Sequence, residues 1–318
     1  MAGEFDLIAT YFRPLAGPEG LGLVDDAACV SVPNGNDLVV TKDLIVEGVH
    51  FIGDEPAQDI AWKALAVNLS DLAAKGSTPS HYFLGLSLPA DRSEAWVAEF
   101  ASGLRACQDA FGIRLAGGDT TASRSGVTIS ITAMGSLPSG TMITRSGATV
   151  GDDIYVSGSL GDAALGLKMV QGDLDCAPAL KERYQRPMPR VALGQMLRGV
   201  ASACADVSDG LLADLGHICA ASGVGARVDQ ARLPLSGEAA TLVGRDSALW
   251  PCVFSGGDDY ELVFTAPRQQ ADHLAGIAGD CDVPLTRIGM IEAGKECHLV
   301  DQEGNLVQSA HQGYQHFR

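Results

Sequence analysis

Between Asp59 and Lys75 the chain carries Ile60, Leu65, Leu69 and Leu72 among alanines, and this spacing predicts a helix apolar on most of its surface. Such a helix has to be covered, and the flanking sequence supplies the cover. "HYFLGLSL", "IRLAGG" and "GVTISITAMGSL" read as strands, and "RSEAWVAEFASGLRACQDAF" reads as an amphipathic helix between the first two. Upstream, "EFDLIATYF" predicts a short helix, and "DDAACVSV" and "DLVVTKD" predict strands separated by the turn "PNGND". Strands and helices alternate throughout this half, so the class is α/β (α+β).

"PSGTMITRSGATVGDD" is rich in turn formers and marks a linker or a long crossing loop. Two domains are therefore expected, residues 1–147 and 148–318. In the second, "IYVSGSLGDAALGLKMV" runs strand, glycine turn, helix. "PRVALGQMLRGVA" and "GLLADLGHICAAS" are helices with "ACADVSD" between them. "PCVFSGGDDYELVFTA" is expected to form two strands meeting at a glycine turn, followed by a helix near 268–278 and closing strands at "TRIGMI" and "CHLV". "SGSLGDA" lacks the Lys of a P-loop and the spacing of G-x-G-x-x-G, so it reads as a tight turn.

Thirty-nine acidic residues face 22 basic ones, a net charge of −17 spread along the chain. Such a surface disfavours nucleic acid and anionic membrane, since neither is neutralised without clustered Lys and Arg. No stretch approaches the roughly 20 apolar residues of a membrane-spanning helix, and no basic n-region precedes a hydrophobic run, so a cytoplasmic protein is expected. Eight cysteines scattered without a C-x-x-C pair read as reduced core thiols rather than a zinc framework.

The acids are placed unusually. Asp71 lies inside the apolar helix, and Asp25 and Asp26, Asp43, Asp119, Asp206 and Asp209 stand beside glycine turns or at the ends of apolar segments. Buried carboxylates close together repel one another unless a cation compensates, and Mg2+, which takes oxygen ligands and substrate phosphates, is such a cation. In "VVTKDLIV" the strand period places Thr41 and Asp43 on one face and Lys42 on the other. The glycines of "AGGDTT" let backbone approach a phosphate closely. Each acid also has a structural reading: Ser208 or Asp209 as a helix N-cap, Asp71 as a partner of a neighbouring helix end.

In order, "DDAA", "TKDLIVEGVHF", "AVNLSDLAAKG", "GGDTT", "ITRSGA", "DVSDGL" and "SGGDDYEL", with "GYQHF" at the end, resemble the thiamine-monophosphate kinase family from about residue 4 to 317. The resemblance implies a two-domain aminoimidazole-ribonucleotide-synthetase-like fold that dimerises through its N-terminal strands. The N-terminal domain would bind ATP and Mg2+. The implied reaction moves the γ-phosphoryl group of ATP to thiamine monophosphate, with several Mg2+ ions and no distinct catalytic base. It also implies metal positions at Asp26, Thr41, Lys42 (through its carbonyl), Asp43, Asp71, Asp119, Asp206 and Asp209. Nucleotide positions fall on Gly118, Asp119, Arg145 and Ser208, and acceptor positions on His50, Asp258 and Tyr314. The chain departs from the family at Val24, where glycine is common, at Lys42, where a small hydroxyl residue is common, and at Asp258, where Glu is usual. Two alternatives remain: a member of the same group with another acceptor, and a non-catalytic nucleotide-binding relative. The selenophosphate branch carries a reactive Cys in a glycine-rich N-terminal segment, whereas the first cysteine here, Cys29, follows the "DD" pair.

Overall fold

The computed structural model describes residues 4–23, 27–28, 30–175, 177–307 and 313. The chain divides into two units, Met1–Leu72 with Ser77–Gly140, and Ala73–Gly76 with Thr141–Arg318. After the opening helix α1 (Glu4–Leu7) and its continuation to Phe12, the first unit is built on a four-stranded sheet. Alternation governs β1 (Asn36–Val46): Val39 and Ile45 are buried, whereas Leu38, Val40, Lys42 and Leu44 face outward. α2 (Ala57–Ala74), β2 (Thr78–Pro89), α3 (Glu94–Phe111), β3 (Arg114–Ser123) and β4 (Thr128–Pro138) follow. The sheet order is β1-β4-β2-β3, with only β2 and β3 parallel, the pair that α3 joins.

α2 is covered as its composition requires, with every residue from 60 to 70 buried. Its polar side chains are satisfied: the Asn68 amide donates to the Ala64 carbonyl at 3.1 Å and its Oδ1 accepts the Asp43 N–H at 3.2 Å. On α3, Ser93 caps the first turn by accepting the Trp96 N–H, and Gly112, at φ 70°, ends the helix. Gly103 lets α3 approach α2 so closely that a Cβ would sit 2.1 Å from the Gln58 carbonyl oxygen.

The second unit runs β5 (Asp153–Ser157), α4 (Asp162–Val170), α5 (Pro178–Gln185), α6 (Val191–Met196), β6 (Ala203–Asp206), α7 (Leu211–Ser222), β7 (Gly225–Asp229), α8 (Gly237–Arg245), α9 (Trp250–Phe254), β8 (Leu262–Ala266), α10 (Ala271–Cys281), β9 (Leu285–Glu292) and β10 (Cys297–Val300). Its six-stranded sheet has the order β10-β7-β9-β5-β8-β6. β5, β8 and the edge strand β6 are buried along their whole length, which is why they read as largely apolar runs. Ile154, Val156, Ala205 and Val263 pack with the face holding α4, α7 and α9, while Tyr155, Cys204, Leu262 and Phe264 pack with Leu193, Leu274 and Ile277 of α6 and α10. Among the described cysteines none is in a disulfide, and Cys107, Cys204, Cys219 and Cys252 are core residues.

Two sequence expectations change. "PCVF" belongs to the short helix α9, with Pro251 in its first turn and Cys252, Val253 and Phe254 buried, so "SGGDDYEL" joins a helix to a strand. The described residues between 27 and 33 form no strand. No helix among the described residues is long and apolar enough to cross a membrane.

Candidate active site

In the first unit the sheet and α2 bring Thr41 and Asp71 into contact, the Thr41 hydroxyl donating to Asp71 Oδ2. Asp43, two residues along the same strand face, is tied by its N–H to Asn68, one helical turn before Asp71. Thr41, Asp43 and Asp71 therefore share the region where β1 meets α2. Lys42 points to the opposite face, as strand alternation predicts, and its ammonium donates to the Ser130 hydroxyl.

Register separates Asp119 from that group. Asp43 pairs with Ile131, which pairs with Leu84 and then Gly118, whereas Asp119 lies in the neighbouring row with Gly85, Ser130 and Leu44. Asp119 thus occupies the Lys42 face, where both line a cavity of about 470 Å³ with Gly117, Gly118, Phe83 and Thr132. Gly118 is required by close packing: a Cβ there would lie 2.0 Å from the Leu84 carbonyl oxygen, just past a bulge in the β2/β3 pairing. His50 is held at the end of β1, its Nδ1 accepting the Val46 N–H at 3.1 Å and its carbonyl accepting from buried Lys63 at 3.3 Å. That contact leaves the ring proton of neutral His50 on Nε2.

In the second unit two loops lie backbone to backbone. Asp206, 3% exposed, ends β6 and leads into Ser208, Asp209 and Gly210. The "SGGDDY" loop docks on it, the Asp258 N–H donating to the Ser208 carbonyl at 2.9 Å and the Tyr260 N–H to the Val207 carbonyl at 2.8 Å. Gly257 makes the approach feasible, since a Cβ there would fall 2.4 Å from Ser208 O. Asp206, Ser208, Asp209 and Asp258 are thereby gathered at one end of the sheet. Arg145 is exposed on a loop whose carbonyl at 145 and N–H groups at 147 and 148 are all clamped by the Ser222 hydroxyl.

Several residues of this region give no sign of their role in the sequence. The Asp214 carboxylate accepts the N–H groups of Ser208, Asp209 and Gly210 at 3.0, 3.1 and 3.2 Å, and so shapes the whole loop. Burial, then the charges of Asp206 and Asp209, push Asp214 up to about 8, against the pull of the Asp209 and Ser208 N–H groups. Asp206, Asp209 and Asp214 thus crowd one loop. Asp259 accepts the N–H groups of Gly161 and Ala163 at 2.7 and 3.1 Å, so the start of α4 is occupied by a protein carboxylate and "SGSLGDA" acts as a turn.

Every side chain among the metal candidates except Lys42 offers oxygen, a donor set that suits Mg2+ and not a soft metal. Among the described residues no three His, Cys, Asp or Glu side chains stand in metal-holding arrangement. Asp26 and Tyr314 lie outside the described residues.

The sequence matches the model for the N-terminal domain of AIR synthase related proteins over residues 24–137, and that for their C-terminal domain over residues 149–302. It is 43% identical to the thiamine-monophosphate kinase of Escherichia coli (strain K12), across 99% of this chain and 98% of that protein. The chain belongs to the thiamine-monophosphate kinase family. The corresponding enzyme of Caulobacter vibrioides is 43% identical across 92% of this chain and 85% of that protein. Among solved structures, thiamine-monophosphate kinase from Stenotrophomonas maltophilia superposes with a TM-score of 0.86 at 46% identity, covering 96% of this chain and 98% of that one. AaThiL complexed with AMPPCP and TMP superposes with a TM-score of 0.80 at 30% identity, covering 99% and 97%. E. coli HypE, at 21% identity and a TM-score of 0.78, shares the fold.

Proposed function

We propose that this chain transfers the γ-phosphoryl group of ATP to the phosphate of thiamine monophosphate, giving thiamine diphosphate and ADP. The observation that carries the reading is the likeness over 99% of the chain to AaThiL, solved with AMPPCP, an ATP analogue, and TMP. In the reaction an acceptor phosphate oxygen bonds to Pγ as the Pγ–O bond to ADP breaks, and the electron pair leaves on the β-phosphate. The acceptor is already an anion, so no base is needed, and alignment with charge neutralisation is the main task. A non-catalytic relative is disfavoured by the 43% identity, across 99% of this chain, to the thiamine-monophosphate kinase of Escherichia coli (strain K12).

Within that reading, Asp26, Thr41, Lys42 through its carbonyl, Asp43, Asp71 and Asp119 in the first unit, and Asp206 and Asp209 in the second, hold Mg2+. Bound Mg2+ neutralises phosphate charge and orients the transferring group. Gly118 and Asp119, with Arg145 and Ser208, bind the nucleotide. His50, Asp258 and Tyr314 bind the acceptor, where a carboxylate at 258 complements the cationic thiazolium. Residues 1–147 form the ATP- and Mg-binding domain and 148–318 the second domain. The chain acts in the cytoplasm as a homodimer through its N-terminal strands, a reading supported by Leu38, Val40 and Leu44, 45%, 54% and 51% exposed on edge strand β1.

The test is product analysis of purified protein with ATP, Mg2+ and thiamine monophosphate, with unphosphorylated thiamine as the contrasting acceptor. Thiamine diphosphate formed only from the monophosphate is the expected result; ATP binding without diphosphate formation would overturn it.

A further inference from the structure

Four consecutive residues, Asp258 to Glu261, alternate between strained and anchored. Asp258 and Tyr260 hold φ of 71° and 50°, the left-handed region that costs any residue with a Cβ free energy. The two acids between and after them point inward and are fully buried. Asp259 binds the amides of Gly161 and Ala163, and Glu261 is locked from three sides. Its Oε2 accepts from Ser157 Oγ and from Arg190 Nε, at 2.5 and 2.7 Å, while its Oε1 accepts from Arg183 Nη2 at 2.7 Å and from Arg190 Nη2. Arg183 also donates to the Asp259 carbonyl at 3.3 Å. Gly158 leaves room for this carboxylate, since a Cβ there would lie 2.2 Å from Oε1.

A strained backbone persists only where its surroundings over-determine it. Here those surroundings are two buried acids, two arginines and the glycine turn at 158–161. The Tyr260 hydroxyl then donates to Asp258 Oδ1 at 3.0 Å, fixing the carboxylate at the exposed end of the arrangement. We propose that Asp259 and Glu261 are positioning residues that hold Asp258 in the left-handed conformation from which its carboxylate meets the acceptor. The inference rests on the reading of Asp258 as an acceptor-binding residue. Neither acid touches substrate; both act through the loop they anchor.

The experiment measures KM for thiamine monophosphate and for ATP, with kcat, in Asp258→Ala, Glu261→Gln, the double variant and Arg190→Lys. Glu261→Gln keeps the shape and removes the charge that both arginines grip. It should raise KM for the acceptor about tenfold, the size of one lost charge-assisted hydrogen bond, and leave KM for ATP within about twofold. In the Asp258→Ala background the same change should add almost nothing to the acceptor KM, because its route is already removed. Arg190→Lys keeps the ion pair without the two-pronged geometry, should shift the acceptor KM in the same direction by less, and decides the matter if Glu261→Gln does not fold. Equal effects on both KM values, or additive effects in the double variant, would overturn the inference while leaving the Asp258 reading intact. An unchanged acceptor KM in Asp258→Ala itself would overturn both.

Discussion

Gly118→Ala isolates how tightly the fold constrains the strand that carries Asp119. The backbone at 118 lies outside the positive-φ region, so alanine meets no conformational penalty of its own. Its methyl group would instead sit 2.0 Å from the Leu84 carbonyl oxygen, 2.9 Å from the carbonyl carbon and 3.1 Å from the Leu84 nitrogen. Relief requires the β2 and β3 backbones to part by about 1 Å, because real carbon contacts stay beyond about 3 Å. All three obstacles are main-chain atoms in the parallel pair, so no side chain can rotate aside. Overpacking of this kind costs about 1–3 kcal/mol, and a rigid obstacle puts Gly118→Ala near the upper end. That corresponds to a fall in melting temperature of roughly 10 °C for a domain of this size. The displaced strand also carries Asp119, so affinity for an ATP analogue should fall with stability. Thermal unfolding and calorimetric titration of the analogue measure both. Unchanged melting and unchanged nucleotide affinity would refute the packing argument together with the assignment of this strand to the nucleotide.

Gly216, inside α7, has open space where a Cβ would stand, with nothing beyond its own stretch of helix within 4 Å, so Gly216→Ala should raise stability by about 0.5–1 kcal/mol in urea unfolding and leave activity unchanged. Asp259 is pushed up to about 8 from an ordinary 3.8, chiefly by burial and against the Gly161 and Ala163 N–H groups. The folded protein therefore holds this proton more tightly than the unfolded chain between those values, and the contribution to stability declines as pH rises across that window. Urea midpoints at about pH 5 and about pH 8 should show a smaller decline for Asp259→Asn than for the parent; identical slopes would remove Asp259 from the pH response.

Periodicity made most of the fold legible. β1 alternates, α2 is apolar all round, and α3 carries one apolar stripe, each a pattern that burial imposes directly on sequence. "PCVF" misleads because four consecutive apolar residues have no period; the Trp-Pro pair that starts α9 was the readable cue. Within the site, Asp71 stood out as an acid in an apolar helix, and alternation correctly separated Thr41 and Asp43 from Lys42. Register could not be read in the same way, so the placement of Asp119 on the Lys42 face emerges only from strand pairing. Asp214, Asp259 and Glu261 escaped notice for a different reason. Asp214 serves backbone amides of the loop just before it, Asp259 and Glu261 meet amides and arginines distant in sequence, and an acid that serves a loop looks like any other until the loop is folded around it.

The proposed reaction rests on cations joining these acids to a triphosphate. Thiamine diphosphate formation measured against free Mg2+, for the parent and for Asp71→Asn, tests that dependence most directly. The parent should be inactive in chelator and rise steeply with Mg2+, while Asp71→Asn should lose about 100-fold in rate and need more Mg2+, with its circular dichroism and melting unchanged. Diphosphate formed at the parental rate in chelator, or an Asp71→Asn protein with the parental Mg2+ response, would contradict it.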